Sequence, residues 1–273
     1  KDMGIKQEAA RLNTRMRQEI PLVHNITNYV TVNDCANALL AIGASPIMAD
    51  DALEAADITS ISSALVINIG TLNQRTVESM ILAGKKANEL GIPVVLDPVG
   101  AGASDLRNKT TGKILEQVRI TVLRGNLSEV SYVAGLSVST KGVDTSDEDN
   151  NKDARSVALA VAKKLSCIVA VTGAIDVITD GKRVVKVSNG HPLLSKVTGT
   201  GCMTSAITGG YAGTREDAFT AAVAGILSMG IGGEIAFEKA GALGTGSFHM
   251  ALIDALSNLN EGTIEEMGKI EEE

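Results

Sequence analysis

Short apolar runs rich in valine and isoleucine alternate along this chain with longer stretches whose apolar positions recur at helical spacing. The short runs at 21–24, 45–49, 64–69, 93–97, 120–123 and 167–172 predict strands. The stretches at 31–42, 52–60, 74–90, 127–134 and 154–165 predict the helices between them. Strands that are apolar nearly throughout, each followed by a helix, fit a parallel sheet covered on both faces. Two further runs, 176–180 and 183–187, flank Gly181 and Lys182 and predict an antiparallel hairpin. The charged N-terminus (Lys6, Glu8, Arg11) has the pattern of an amphipathic helix, and from Cys202 onward the pattern is almost wholly helical. The fold class expected is α/β, three-layered, with helices on both faces of a mostly parallel central sheet. The strand–helix alternation continues across the polar segment 141–153, which reads as a solvated loop. A single domain over 1–273 is therefore expected.

Composition narrows the picture. The 273 residues are 44% hydrophobic but only 2% aromatic, with no tryptophan, so the core must be packed mainly with Ala, Val, Ile, Leu and Met. A net charge of −7 without a basic run argues against a nucleic-acid partner, and few aromatics are present for base stacking. The three cysteines, Cys35, Cys167 and Cys202, are widely spaced and form no CxxC pair, which argues against a disulfide scaffold or a structural zinc. The longest uncharged stretch, 197–214, is rich in Gly and Thr and is a poor membrane span, and no secretory signal is visible. A cytoplasmic enzyme with reduced thiols is the expectation.

The chemistry concentrates where predicted strands end. The run Val197-Thr-Gly-Thr-Gly-Cys-Met-Thr-Ser-Ala206 places Gly199, Thr200 and Gly201 at the start of a helix, with Cys202 at the joint. Such a turn aims unpaired backbone N–H groups and the positive end of a helix dipole at one spot, which suits a phosphate or a developing oxyanion. Cysteines at helix N-termini ionise readily, whereas a bound polyphosphate opposes ionisation, so thiol and thiolate both stay open. Around this turn stand Asp97 at the end of one strand, Arg124, Asn126 and Glu129 after the next, and Thr172-Gly173 after a third. Asp97 and Glu129 suit a magnesium ion, directly or through water. Taken singly, a loop cap and a first-turn glutamate account for them equally well. Arg124 suits a phosphate clamp, and Thr172 and Gly173 a close approach to a nucleotide. Asn126 can orient a metal-bound water or cap the helix that follows it. In the N-terminal region His24-Asn25-Ile26-Thr27-Asn28 and Met48 offer amides and an apolar wall for a small heteroaromatic substrate. Neither a GxxxxGK[ST] loop nor a protein-kinase motif set is present, so ATP use requires another architecture.

Six stretches in order, PLVHNITNYV (21–30), AIGASPIMAD (41–50), LDPVGAGAS (96–104), RGNLSEV (124–130), VTGAIDVITDG (171–181) and VTGTGCMTSA (197–206), resemble the hydroxyethylthiazole kinase family of the ribokinase-like superfamily. The resemblance implies a ribokinase-like three-layer fold and ATP-dependent phosphorylation of the hydroxyl of 5-(2-hydroxyethyl)-4-methylthiazole, a thiamine-pathway step. It implies ATP contacts at Arg124 and Thr172, magnesium at Asp97 and Glu129, and thiazole contacts at Met48, Gly199 and Asn25. It also implies an anion hole at 199–202, with Cys202 where most of the superfamily carries an aspartate. A homotrimer with pockets at subunit boundaries is implied as well. The alternatives are another ribokinase-like enzyme, such as a pyrimidine-alcohol kinase or a nucleotide-dependent hydrate dehydratase, and a catalytically silent thiazole- or nucleotide-binding protein.

Overall fold

The computed structural model describes residues 3–136 and 150–273. The first half runs α1 (Ile5–Glu19), β1 (Leu22–Ile26), α2 (Val32–Ile42), β2 (Ser45–Met48), α3 (Ala55–Ser60), β3 (Ala64–Asn68), α4 (Gln74–Leu90), β4 (Val94–Asp97) and α5 (Asp105–Gln117). It continues through β5 (Val122–Asn126), α6 (Leu127–Gly135), α7 (Asn150–Leu165), β6 (Ile168–Thr172), β7 (Asp176–Thr179) and β8 (Val184–Val187). After a 3-10 turn (Pro192–Lys196) come α8 (Thr200–Ala212), α9 (Ala218–Ala240), α10 (Thr245–Asn258), α11 (Glu261–Met267) and β9 (Ile270–Glu272).

The strands form one nine-stranded sheet in the order β2-β1-β3-β4-β5-β6-β7-β8-β9. From β2 through β6 all neighbours are parallel, and the last three pairings are antiparallel. Period-two alternation layers the molecule. Val23, Ala64, Val66, Val95, Val122 and Ala170 enter one core, which they share with α1, α2, α8, α9 and α10. Ile26, Leu65, Ile67, Val94, Leu96, Leu123 and Val169 enter the other, against α4, α5, α6 and α7. Strands covered on both faces have no polar face to display, hence their near-continuous apolar sequence.

The central helix α8 packs against β3 and β4. Its small side chains permit a close approach: a Cβ on Gly209 would lie 2.5 Å from Val66 Cγ2. This seats the first turn of α8 over the carboxyl ends of the middle strands. Helix α9 with the turn that follows it (Ala218–Leu243) is, among the described residues, the one helix long and apolar enough to cross a membrane by composition. Its most apolar window is 83% buried inside this fold.

The predicted elements match the observed ones closely; the first strand, predicted over 21–24, runs on to Ile26, and further differences follow. The strand predicted at 120–123 extends to Asn126, because the backbone of Arg124, Gly125 and Asn126 goes on pairing with Ala170, Val171 and Thr172 of β6. Arg124 and Asn126 therefore lie within the strand rather than past it. The helix predicted from 52 begins at Ala55, since the preceding residues form a turn in which Asp51 Oδ1 accepts the Leu53 N–H at 2.9 Å. Helix α5 and strand β9 had no predicted counterpart. The loop expected over 141–153 lies outside the described residues up to 149; its last residues, from Asn150, open α7.

Candidate active site

The carboxyl ends of β1, β3, β4, β5 and β6 and the first turn of α8 converge on one rim. Gly199 caps α8 with φ of 85°, a left-handed conformation that L side chains rarely adopt, and a Cβ there would lie 2.4 Å from Thr31 Cγ2. The N–H groups of Thr200, Gly201 and Cys202 have no acceptor among the described residues; the first paired one is Met203 N–H, which donates to Gly199 O at 2.8 Å. Three unpaired donors at the positive end of a helix have the geometry that favours an anion. Cys202 is a free, half-buried thiol in that same turn.

Beneath the turn lies Arg124. The space a Cβ on Gly201 would occupy is 3.1 Å from Arg124 Nη2, so the guanidinium rests against the anion site. Its fork is spread over three partners: Nε donates to Ser205 Oγ at 2.7 Å, Nη1 to Thr172 Oγ1 at 2.7 Å, and Nη2 to Asp97 Oδ2 at 3.0 Å. Ser205 also donates to Asp97 Oδ2, at 2.8 Å. Burial pushes the Asp97 carboxyl above the usual range; Arg124 and Ser205 oppose this, and the Glu129 charge reinforces it. Burial works against the Arg124 charge, but Asp97 and Glu129 outweigh it and hold the guanidinium protonated.

Glu129 and Asn126 form a capping box at the start of α6: Asn126 Oδ1 accepts the Glu129 N–H at 2.8 Å and Glu129 Oε1 accepts the Asn126 N–H at 2.9 Å. Glu129 Oε2 accepts the Gly100 N–H at 2.7 Å, tying α6 to the loop after β4. The capping alternative for Asn126 is thus realised. Gly173 N–H donates to Asp176 Oδ1 at 3.0 Å, so the backbone there is held by the chain itself. Burial pushes the Asp176 carboxyl up to about 7 against the opposing Gly173 N–H and Arg124 charge.

Met48 and Asn25 stand side by side in the register of β1 and β2. Asn25 Nδ2 donates to Val23 O at 3.0 Å, whereas its Oδ1 is buried without a partner. His24 turns away from the rim and bridges Thr59 Oγ1 (2.8 Å) and Ala49 O (2.6 Å); burial lowers its pKa. It is a strut between β1 and α3 rather than a substrate contact.

Six buried side-chain polar atoms lack a hydrogen-bond partner among the described residues, and four of them (Asn25 Oδ1, Thr27 Oγ1, Asn68 Nδ2 and Asp97 Oδ1) sit at this rim. Each such atom is worth about 1–3 kcal/mol of instability unless something fills its valence. Their clustering makes this rim the candidate place for a polar ligand. Ser205, Asn68 and Asp176 join the candidate residues on structural grounds, and Asn28, already a candidate from sequence, donates to Cys202 Sγ at 3.4 Å. Asn68 carried a sequence signal of the Asp97 type, a polar residue closing an apolar strand, but Ser205 carried none.

A mostly parallel sheet with an antiparallel edge, helices on both faces and an anion turn over the strand ends define a ribokinase-like α/β kinase. Pyridoxal kinase from Staphylococcus aureus in complex with ADP shares this fold at a TM-score of 0.60 and 15% identity, over 78% of this chain and 88% of that one. The hydroxyethylthiazole kinase family model matches residues 13–262. Hydroxyethylthiazole kinase of Ruminiclostridium cellulolyticum is 65% identical over 97% of this chain and 98% of its own length. The solved hydroxyethylthiazole kinase protein of Pyrococcus horikoshii superposes with a TM-score of 0.88 at 41% identity, over 97% of this chain and 98% of that one. The chain belongs to the hydroxyethylthiazole kinase family and is a phosphotransferase of thiamine biosynthesis.

Proposed function

We propose that this chain, as a single kinase domain, moves the γ-phosphoryl group of ATP to the primary hydroxyl of 5-(2-hydroxyethyl)-4-methylthiazole in one in-line step. The observation that carries this reading is the first turn of α8, with three unpaired N–H groups beside a half-buried thiol. The bond from phosphorus to the ADP oxygen breaks as the bond to the substrate oxygen forms, and the hydroxyl proton passes to Cys202 Sγ. Backbone N–H groups of the 199–202 turn, those of Thr200, Gly201 and Cys202 among them, lower the energy of charge spreading over the equatorial oxygens.

Arg124 and Thr172 face the ATP phosphates; Arg124 supports the site with positive charge while its fork is held by Asp97 and Ser205. Asn126 and Gly173 edge the nucleotide side. Met48, Asn25 and Gly199 line the thiazole side. Magnesium, when bound, supplies charge neutralisation on the phosphates. Asp97 fits it through its partnerless Oδ1, and Glu129, whose oxygens accept from backbone, fits it through water.

The assembly is a homotrimer with pockets at subunit boundaries. The family resemblance and the exposure of Tyr29 (79%) and Val30 (54%), directly after Asn28 at the rim, support this. Sedimentation equilibrium at the mass of a single chain would remove it. Free, reduced cysteines support a cytoplasmic location. The reaction itself is tested with ATP, Mg²⁺ and a panel of heterocyclic alcohols, read by ADP release and product mass. The thiazole alcohol is the preferred acceptor; preference for a pyrimidine alcohol overturns the assignment.

A further inference from the structure

Of two buried asparagines, Asn28 just past β1 contacts Cys202, and Asn68 at the end of β3 contacts Asn28. Backbone donors fix the orientation of both amides. The Thr31 N–H donates to Asn28 Oδ1 at 3.1 Å, and the Thr31 hydroxyl does the same at 3.1 Å, so Asn28 Nδ2 is the end that faces the site. The Gly70 N–H donates to Asn68 Oδ1 at 2.9 Å, which makes that oxygen the end facing Asn28. The two hydrogens of Asn28 Nδ2 then meet two recipients, Asn68 Oδ1 at 3.0 Å and Cys202 Sγ at 3.4 Å. Flipping either amide would set a donor against a backbone N–H, so the network has one polarity. That polarity ends in an N–H directed at sulfur. Space enforces it too: a Cβ on Gly70 would lie 2.6 Å from Asn28 Nδ2.

We propose that Asn28, locked by Asn68, Thr31 and Gly70, is a positioning residue that holds Cys202 Sγ as a hydrogen-bond acceptor turned toward the substrate hydroxyl. This rests on the reading that Cys202 takes the hydroxyl proton. A donated N–H stabilises negative charge on sulfur and occupies the side of the atom that faces β1 and β3, leaving the remaining lone pairs for the substrate. The Asn68 Nδ2 stays a buried donor without a partner among the described residues. The pair therefore keeps one amide N–H for the thiol and one for whatever binds at the rim.

The test reads the sulfur directly. Burial pushes Cys35 and Cys167 up to about 12, so iodoacetamide at pH 7 reports Cys202 in the unliganded protein. In Asn28→Ala, alkylation of Cys202 slows by roughly threefold or more, because the sulfur loses the N–H donor that supports negative charge on it. The kcat falls about tenfold or more while KM for ATP stays within about twofold. Gly70→Ala displaces the amide without removing it and should slow alkylation in the same direction, which keeps the test open if Asn28→Ala does not fold. Unchanged or faster alkylation in the folded variants overturns the proposal. Slower alkylation with unchanged kcat supports the positioning of sulfur and counts against Cys202 as proton acceptor.

Discussion

Arg124 and Asp97 form an ion pair at 3.0 Å, Nη2 to Oδ2, with side chains only 8% and 0% exposed. Both charges are out of water, and each is the other's main compensation. Removing one partner leaves a buried, uncompensated charge, which typically destabilises by about 3–5 kcal/mol. Arg124→Met should fall in that range in urea unfolding. The double variant Arg124→Met/Asp97→Asn should recover part of the loss, because the stranded charge is gone. A loss below about 1 kcal/mol in Arg124→Met would show that the pair is not coupled as described.

Cys202 stands in the first turn of α8, and the proposed mechanism gives it the hydroxyl proton. Cys202→Ala should lower kcat by about 10²–10⁴-fold with little change in KM for ATP. Cys202→Asp should stay active, since an unperturbed carboxylate is ionised at neutral pH. Near-normal turnover in Cys202→Ala eliminates the proposed role.

Gly199 meets two separate constraints, a φ of 85° and the methyl group of Thr31 where its Cβ would be. Gly199→Ala is expected to destabilise the fold by about 1–3 kcal/mol and to depress kcat by distorting the anion turn. Thr31→Ser removes the opposing methyl but keeps the hydroxyl on Asn28. In the Gly199→Ala background it should restore part of the stability, leaving the backbone strain and the 2.9 Å approach to the Cβ of residue 31. Thermal melts of the four proteins separate the two contributions; no loss in Gly199→Ala would refute both.

Asp176 is 8% exposed, and burial raises its carboxyl to about 7 from the usual 3.8. Between those values the folded chain binds the proton and the unfolded chain does not. The contribution of this group to stability is therefore fully present below about pH 4 and is lost as pH rises to about 7. The gap corresponds to at most roughly 4 kcal/mol. Asp176→Asn keeps an acceptor for the Gly173 N–H and removes the titration. The variant should match the parent near pH 4 and exceed it in unfolding free energy at pH 8. Equal stability at both pH values would mean that the carboxyl is not perturbed.

How much of this was written in the chain differs by element. Helix α4 was predicted at its observed bounds because its ends are locally encoded, by the Asn73 capping box and by Gly91 in the left-handed conformation. The six parallel strands were legible because burial on both faces demands apolar runs. Helix α5 was not, since two of its three buried positions are Thr110 and Thr111, which imitate a polar segment. Strand β9 was not legible either: its residues are exposed or half-buried, and it pairs with β8 through backbone, which leaves no mark on side-chain pattern. At the rim, the residue types at the strand ends (Asp97, Arg124, Thr172) and at the helix starts (Glu129, Cys202) were readable from sequence, because strand ends and helix starts are local events.

Who binds whom was decided by the tertiary structure alone. The sequence by itself determined the layered α/β arrangement, the anion turn and the set of polar groups available to it. Only the packed fold decided that Arg124 is shared among Asp97, Ser205 and Thr172, and that Asn28 reaches Cys202 across 174 positions of chain. The reason is physical: hydrophobic periodicity and capping act over a few residues, whereas hydrogen-bond partners are chosen by the sheet order that brings distant side chains within hydrogen-bonding reach of one another.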